Sequence, residues 1–111
     1  MRDVTEVLME ARYLISSPER WTQGANARNA RGRRTHWGSP EAVCWCANGA
    51  IAKVAATAAE PRIGFDFLVE RARVRLDRAV DHPYGAFTFN DSHTHEEVLG
   101  MFDRAIAGKG A

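Results

Sequence analysis

From Ala42 to Ala52 the chain carries no charged side chain. A helix that is apolar all round is a buried one, so this stretch reads as a central element on which the rest of the chain must pack. Ser39-Pro40-Glu41 stands before it as a helix start. Serine can cap, proline suits the first helical position, and glutamate meets the positive helix end. The expectation is one buried helix over 40–58, with Val43 and Ile51 inside it, so that Val43→Asp or Ile51→Asp abolishes folding. The weakly polar run reaches Ala59 but is mostly alanine and holds Asn48 and Lys53. It is too polar for a bilayer span, and no membrane association is expected.

Three further helices follow from apolar spacing. Val4, Val7, Leu8, Ala11, Leu14 and Ile15 fall on one stripe about 120° wide, which predicts a helix over 4–16, ended before Pro18. Phe65, Leu68, Val69, Ala72, Leu76, Ala79 and Val80 predict another over 65–80. Thr94-His95-Glu96-Glu97 fits a capping box and opens a last helix over 94–107, with Val98, Leu99, Phe102, Ala105 and Ile106 inward. Glu60-Pro61-Arg62-Ile63-Gly64 reads as a break, Ala86-Phe87-Thr88-Phe89-Asn90-Asp91 as a short extended or turn segment anchored by Phe87 and Phe89, and the end from Gly108 as a frayed tail. The expected fold is therefore all-α, a compact four-helix single domain over 1–111. A long loop, residues 22–38, joins the first two helices.

Most sites that the residue types suggest have simpler explanations. Cys44 and Cys46 with His93 and His95 resemble a zinc set. On a helix, however, residues two apart point about 200° apart, so the two thiols would not converge on one ion; no metal and no cofactor are expected. Cys46 with His95 and Asp91 resembles a thiol catalyst, but an apolar setting raises a thiol pKa and disfavours the nucleophile. No glycine-rich phosphate loop follows a strand. Asn48, an amide among apolar residues, needs partners, and holding the backbone of a loop would supply them.

The loop before the central segment is different. It groups Arg20, Arg28, Arg31, Arg33 and Arg34, has no acidic residue between Arg20 and Gly38, and is flanked by Trp21 and Trp37. Arginine beside aromatic residues suits carboxylate, phosphate or an acidic protein surface. Arg71, Arg75 and Arg78 share a flank of the third helix beside Phe67 and Val74, apolar residues off its core stripe. The whole chain carries a net charge of +1, so any basic character that matters is local.

Several segments together resemble a family of small uncharacterised proteins of bacteria and their phages. They are Ala11-Arg12 with Ile15, Trp21-Thr22-Gln23-Gly24, Ala27-Arg28, Pro40-Glu41-Ala42-Val43, Cys46-Ala47-Asn48-Gly49-Ala50-Ile51, Phe89-Asn90-Asp91 and Thr94-His95-Glu96-Glu97-Val98-Leu99. The resemblance implies helical character and a phage-related context but transfers no activity. It groups Trp21, Gln23, Cys46, Asn48, Asn90, Asp91 and His95 as a candidate pocket.

These readings favour a non-catalytic binding protein that presents Arg20, Arg28, Arg31, Arg33, Arg34 and Trp37, with Arg71, Arg75 and Arg78, to an acidic protein partner. One form of it is a phage-encoded modulator of a host factor. A small enzyme or ligand-binding protein built on Cys46, Asn48, Asn90 and His95 is the first alternative, and nucleic-acid binding through the arginine loop is the second. With no long apolar segment near Met1, no export signal is expected, and the thiols are expected to stay reduced in the cytoplasm.

Overall fold

The computed structural model describes residues 3–58 and 64–108. Asp3 starts α1 (Val4–Leu14) through a reciprocal cap: Glu6 N donates to Asp3 Oδ1 at 2.8 Å, and Asp3 N to Glu6 Oε1 at 3.3 Å. A turn of 3₁₀ helix, Pro18–Arg20, follows. The two short strands β1 (Ala27–Arg28) and β2 (Cys44–Trp45) pair antiparallel, with Ala27 opposite Trp45 and Arg28 opposite Cys44. The remaining helices are α2 (Ala47–Ala58), α3 (Phe65–Ala79), α4 (Gly85–Ser92) and α5 (His95–Gly108).

Helix α1 lies against α2, α3 and α5, and α3 also lies against α2, α4 and α5. Their shared interior holds Leu8, Ile15, Ile51, Leu68, Leu76, Met101 and Phe102, all fully buried. The Thr94 capping box forms. Glu97 N donates to Thr94 Oγ1 at 3.2 Å, and Thr94 N returns a bond to Glu97 Oε1 at 2.9 Å. The Thr94 amide, and after it the Thr94 hydroxyl that donates to Glu97 Oε1 at 3.1 Å, hold the Glu97 carboxyl below the ordinary glutamate range.

The all-α, four-helix expectation is overturned: among the described residues there are five α-helices and a two-stranded antiparallel sheet. Two segments account for the difference. Residues 40–46 are not helical. After Ser39-Pro40-Glu41 the chain makes one turn, closed by Ala42 N donating to Ser39 O at 3.1 Å, and then runs extended. Val43 N donates to Arg28 O at 2.9 Å and Cys46 N to Asn26 O at 3.3 Å. Val-Cys-Trp is comfortable in a strand, and these long-range partners outweigh the local helix-start signal. Val43 is consequently 45% exposed, which removes the reason to expect that Val43→Asp abolishes folding.

The second difference is at 86–91, expected to be a short extended or turn segment and found inside helix α4. Its cap comes from another helix: Ala86 N donates to Asp77 Oδ1 at 2.8 Å. Gly85, with φ near 78°, supplies the left-handed turn that lets the chain enter there. On this helix Phe89 packs against the core while Phe87 stays half exposed, so only one of the two expected anchors reaches the interior. The break expected at 60–64 lies, apart from Gly64, outside the described residues, as do residues 109–111 of the tail.

Candidate functional site

The loop 22–38 is a built structure. Arg28 faces Arg34 across an antiparallel bridge, Thr35 N donates to Ala27 O at 3.1 Å, and Asn29 N donates to Arg33 O at 2.9 Å. Inside this reversal Asn29 Oδ1 accepts from Arg31 N at 2.9 Å and from Arg33 N at 3.1 Å, a side chain standing in for backbone partners. Gly32, with φ near 79°, completes the turn at a conformation that side chains disfavour.

Arg28 is spent on holding the reversal. Its Nε donates to Thr22 Oγ1 at 3.0 Å, Nη1 to Gly32 O at 3.1 Å and Nη2 to Gln23 O at 3.0 Å. Arg31, Arg33 and Arg34 are exposed. Their side chains make no hydrogen bond or ion pair with the described residues. Arg31 and Arg33 line an open groove of about 610 Å³ together with Asn29, Pro40, Glu41 and Val43. Arg20 is exposed on the 3₁₀ turn. Trp37 stacks on Phe65, with ring centroids 5.4 Å apart, and its carbonyl accepts from Trp45 Nε1 at 2.9 Å. It is an anchor for the loop as much as part of its surface.

The arginines of α3 divide in the same way. Arg71 lies over the Phe67 ring at 5.5 Å. Arg75 is drawn inward, where Nη1 donates to Thr5 Oγ1 at 2.6 Å and Nη2 to Ala105 O at 2.7 Å. That satisfies a carbonyl near the end of α5. Phe67, Arg71, Val74, Arg75 and Arg78 of α3, with Val4 of α1, line a shallow hollow of about 270 Å³.

Of the candidate pocket residues, Trp21, Gln23, Asn90, Asp91 and His95 come together, but as a packed network, while Cys46 and Asn48 meet at Asn26. Asn90, 1% exposed, is the hub of the network. Asn90 Oδ1 accepts from Trp21 Nε1 at 2.8 Å and from Ala47 N at 3.0 Å, and its Nδ2 donates to Thr22 O at 3.2 Å and Asp91 Oδ1 at 3.0 Å. Gln23 Nε2 donates to Asn90 O and His93 O, and Gly24 N to Asp91 Oδ1. His95 Nε2 lies 2.7 Å from Ile15 O, with its ring against Trp21. The set fastens the segment 21–24 to α4 and to the start of α2.

Cys46 immediately precedes α2 and Cys44 lies on β2, so the helical geometry used to separate them does not apply. Among the described residues no three His, Cys, Asp or Glu side chains gather as a metal site. Burial pushes the Cys46 thiol pKa up, and its Sγ lies 3.7 Å from Asn26 Oδ1 and accepts from Gly49 N at 3.3 Å. Asn48 is the second residue of α2, not the middle of a buried helix. Its Nδ2 donates to Asn26 Oδ1 at 3.1 Å, which ties the loop to α2. Its Oδ1 is buried without a partner among the described residues, at a cost of about 1–3 kcal/mol.

Sequence reasoning missed two participants. Asn26 joins Cys46 and Asn48, and Asn29 builds the turn that carries Arg31 and Arg33. Asn29 was legible in principle, because Asn three residues before Gly is turn chemistry. No local signal marks Asn26, whose partners are remote.

Among the described residues no helix is long and apolar enough to cross a membrane. A family model described as "Family of unknown function (DUF6197)" matches residues 1–108. No curated protein and no solved structure matches the chain.

Proposed function

We propose, for a chain that belongs to this family of unknown function, that it is a non-catalytic binding protein whose Arg31 and Arg33 engage an acidic protein partner. The observation that carries this reading is the reversal at 29–33. It holds two exposed arginines, without ion pairs among the described residues, beside a groove that also offers Pro40 and the half-exposed Val43. The backbone of a turn braced by Asn29 and Arg28 has little freedom left to lose on binding, and arginine is enriched among residues that dominate interfaces. Glu41 in the same lining makes the groove selective, since it repels a uniformly acidic surface and favours one with a cation or an apolar group in register. The resemblance to small proteins of bacteria and phages fits a host factor as the partner. Free thiols at Cys44 and Cys46 fit action in a reducing cytoplasm.

What favours binding over the enzyme reading is that Cys46 Sγ faces Asn26 Oδ1, Asn90 Oδ1 accepts from the Ala47 amide and His95 Nε2 faces the Ile15 carbonyl. Fluorescence anisotropy with a labelled peptide of alternating glutamate and leucine, and with a DNA duplex of equal charge, tests the proposal. The peptide is expected to bind, and Arg31→Ala/Arg33→Ala to weaken it more than about tenfold with unchanged circular dichroism. Equal peptide binding by the double variant overturns the assignment to the reversal. Preference for the duplex with a steep salt dependence replaces the protein partner with nucleic acid.

A further inference from the structure

A second hollow lies away from the reversal, where the start of α2 meets α3 and α4. Its volume is about 120 Å³, its floor includes Ile51 and Leu76, and its rim carries Arg73, Asp77, Tyr84 and Phe87. A space of this order holds a molecule of a few heavy atoms, since an apolar void of about 150 Å³ admits benzene.

Three features of the lining ask for a ligand of defined chemistry. Arg73 and Asp77 are one helical turn apart, near enough to pair, yet Arg73 forms no ion pair among the described residues. Asp77 Oδ1 is occupied by Ala86 N at 2.8 Å, while its second oxygen has no partner among those residues. Asn48 also lines the hollow, and its Oδ1 is a buried acceptor without a donor among the described residues. Turning the terminal torsion of an asparagine is soft, so an entering donor can recruit that oxygen in exchange for the 3.1 Å bond from Asn48 Nδ2 to Asn26 Oδ1. Around these groups stand two exposed aromatic rings, Tyr84 at 77% and Phe87 at 50%, in position to cover what enters.

We infer that this hollow is a binding site for a small zwitterion of the α-amino-acid class. Its carboxylate pairs with Arg73, its ammonium group donates to Asp77 and Asn48, and a short apolar side chain rests on Ile51 and Leu76. The separate cation and anion on the rim discriminate against molecules that carry only one of the two charges, because each leaves a rim charge unmatched. The size of the hollow restricts the side chain to one or two heavy atoms.

The test is a titration of the ¹⁵N-labelled protein with L-alanine, with sodium acetate and ethylamine as the two half-molecules, followed by amide chemical shifts. L-alanine is expected to shift the Asn48 side-chain amide and the backbone amides of Tyr84 to Phe87 saturably, at about 1 mM, and each half-molecule to need at least about tenfold more. Asp77→Asn keeps an oxygen for the Ala86 amide while removing the charge, and Arg73→Gln changes an exposed side chain, so both variants should fold. Each is expected to weaken L-alanine binding roughly fivefold. Absence of saturable shifts up to about 20 mM, half-molecules that bind as well as L-alanine, or full affinity in both variants overturns the site. None of these results bears on the reversal at 29–33, whose variants are different residues.

Discussion

Replacing Asn90 by alanine tests whether the packed network holds the fold together. The side chain is 1% exposed and makes four hydrogen bonds. Truncation leaves Trp21 Nε1 and Ala47 N without their acceptor and Thr22 O without its donor. Asp91 Oδ1 still accepts from Gly24 N. Two donors left without an acceptor, at about 1–3 kcal/mol each, with about 1 kcal/mol for the cavity, give an expected loss of about 3–7 kcal/mol. A domain of this size has about 5–15 kcal/mol in total, so the variant should be marginal or unfolded at room temperature. Urea unfolding followed by tryptophan fluorescence measures it. Asn90→Asp is the companion, because it keeps an oxygen for Trp21 and Ala47 but brings a buried carboxyl beside Asp91. It loses the Nδ2 donor to Thr22 O and Asp91 Oδ1, so it too should be less stable than the parent in the same assay. A loss below about 1 kcal/mol for Asn90→Ala would mean that water replaces the side chain, and the clamp would not exist.

Three further outcomes follow from single contacts. Gly49→Ala places a Cβ about 1.9 Å from Asn26 O, a backbone atom that cannot swing aside, and should cost at least about 2–3 kcal/mol in the same unfolding assay. Ile51→Asp should abolish folding, whereas Val43→Asp, on a half-exposed strand residue, should change stability by no more than about 1 kcal/mol; thermal melts compare the two. The Glu97 carboxyl is held below its ordinary range by the Thr94 cap, so its contribution is present above about pH 4.3 and lost as pH falls through the lowered value. Glu97→Gln should flatten the acid side of a stability–pH curve.

The helices that follow from apolar spacing alone were the legible ones. The stripes of α1, α3 and α5 alternate with charged faces, and their inner residues Leu8, Leu76 and Phe102 are buried as that spacing requires. The segment 40–46 misled because its local signals describe a helix while its amides find carbonyls at Arg28 and Asn26. Strand pairing is a fact about distant residues, and periodicity within a window does not contain it. Helix α4 was hidden for the same reason, since its cap is Asp77. Of the seven residues grouped as a candidate pocket, Trp21, Gln23, Asn90, Asp91 and His95 do meet while Cys46 and Asn48 turn to Asn26, but residue identity alone does not tell a reactive pocket from a hydrogen-bonded clamp. The difference is whether each polar atom already has a partner.

The same criterion sorts the arginines, and it is why their number in the sequence overstates the surface available to a partner. Arg12 grips Asp103 at 2.6 Å, Arg104 donates to Ala79 O, and Arg28 and Arg75 hold backbone carbonyls. Each is a fastener between segments distant in sequence or within a turn. Guanidinium suits this work because its donors fan out in one plane and reach several carbonyls at once. Arg31 and Arg33 differ in having backbones that are immobilised and side chains that are not, as Asn29 takes their amides and leaves the guanidinium groups exposed. A rigid backbone carrying unpaired side chains is the arrangement that lowers the entropic cost of association. The presented pair depends on a fastener: the three bonds of Arg28 add to the backbone bonds and to Asn29 in fixing the direction of the turn that displays Arg31 and Arg33.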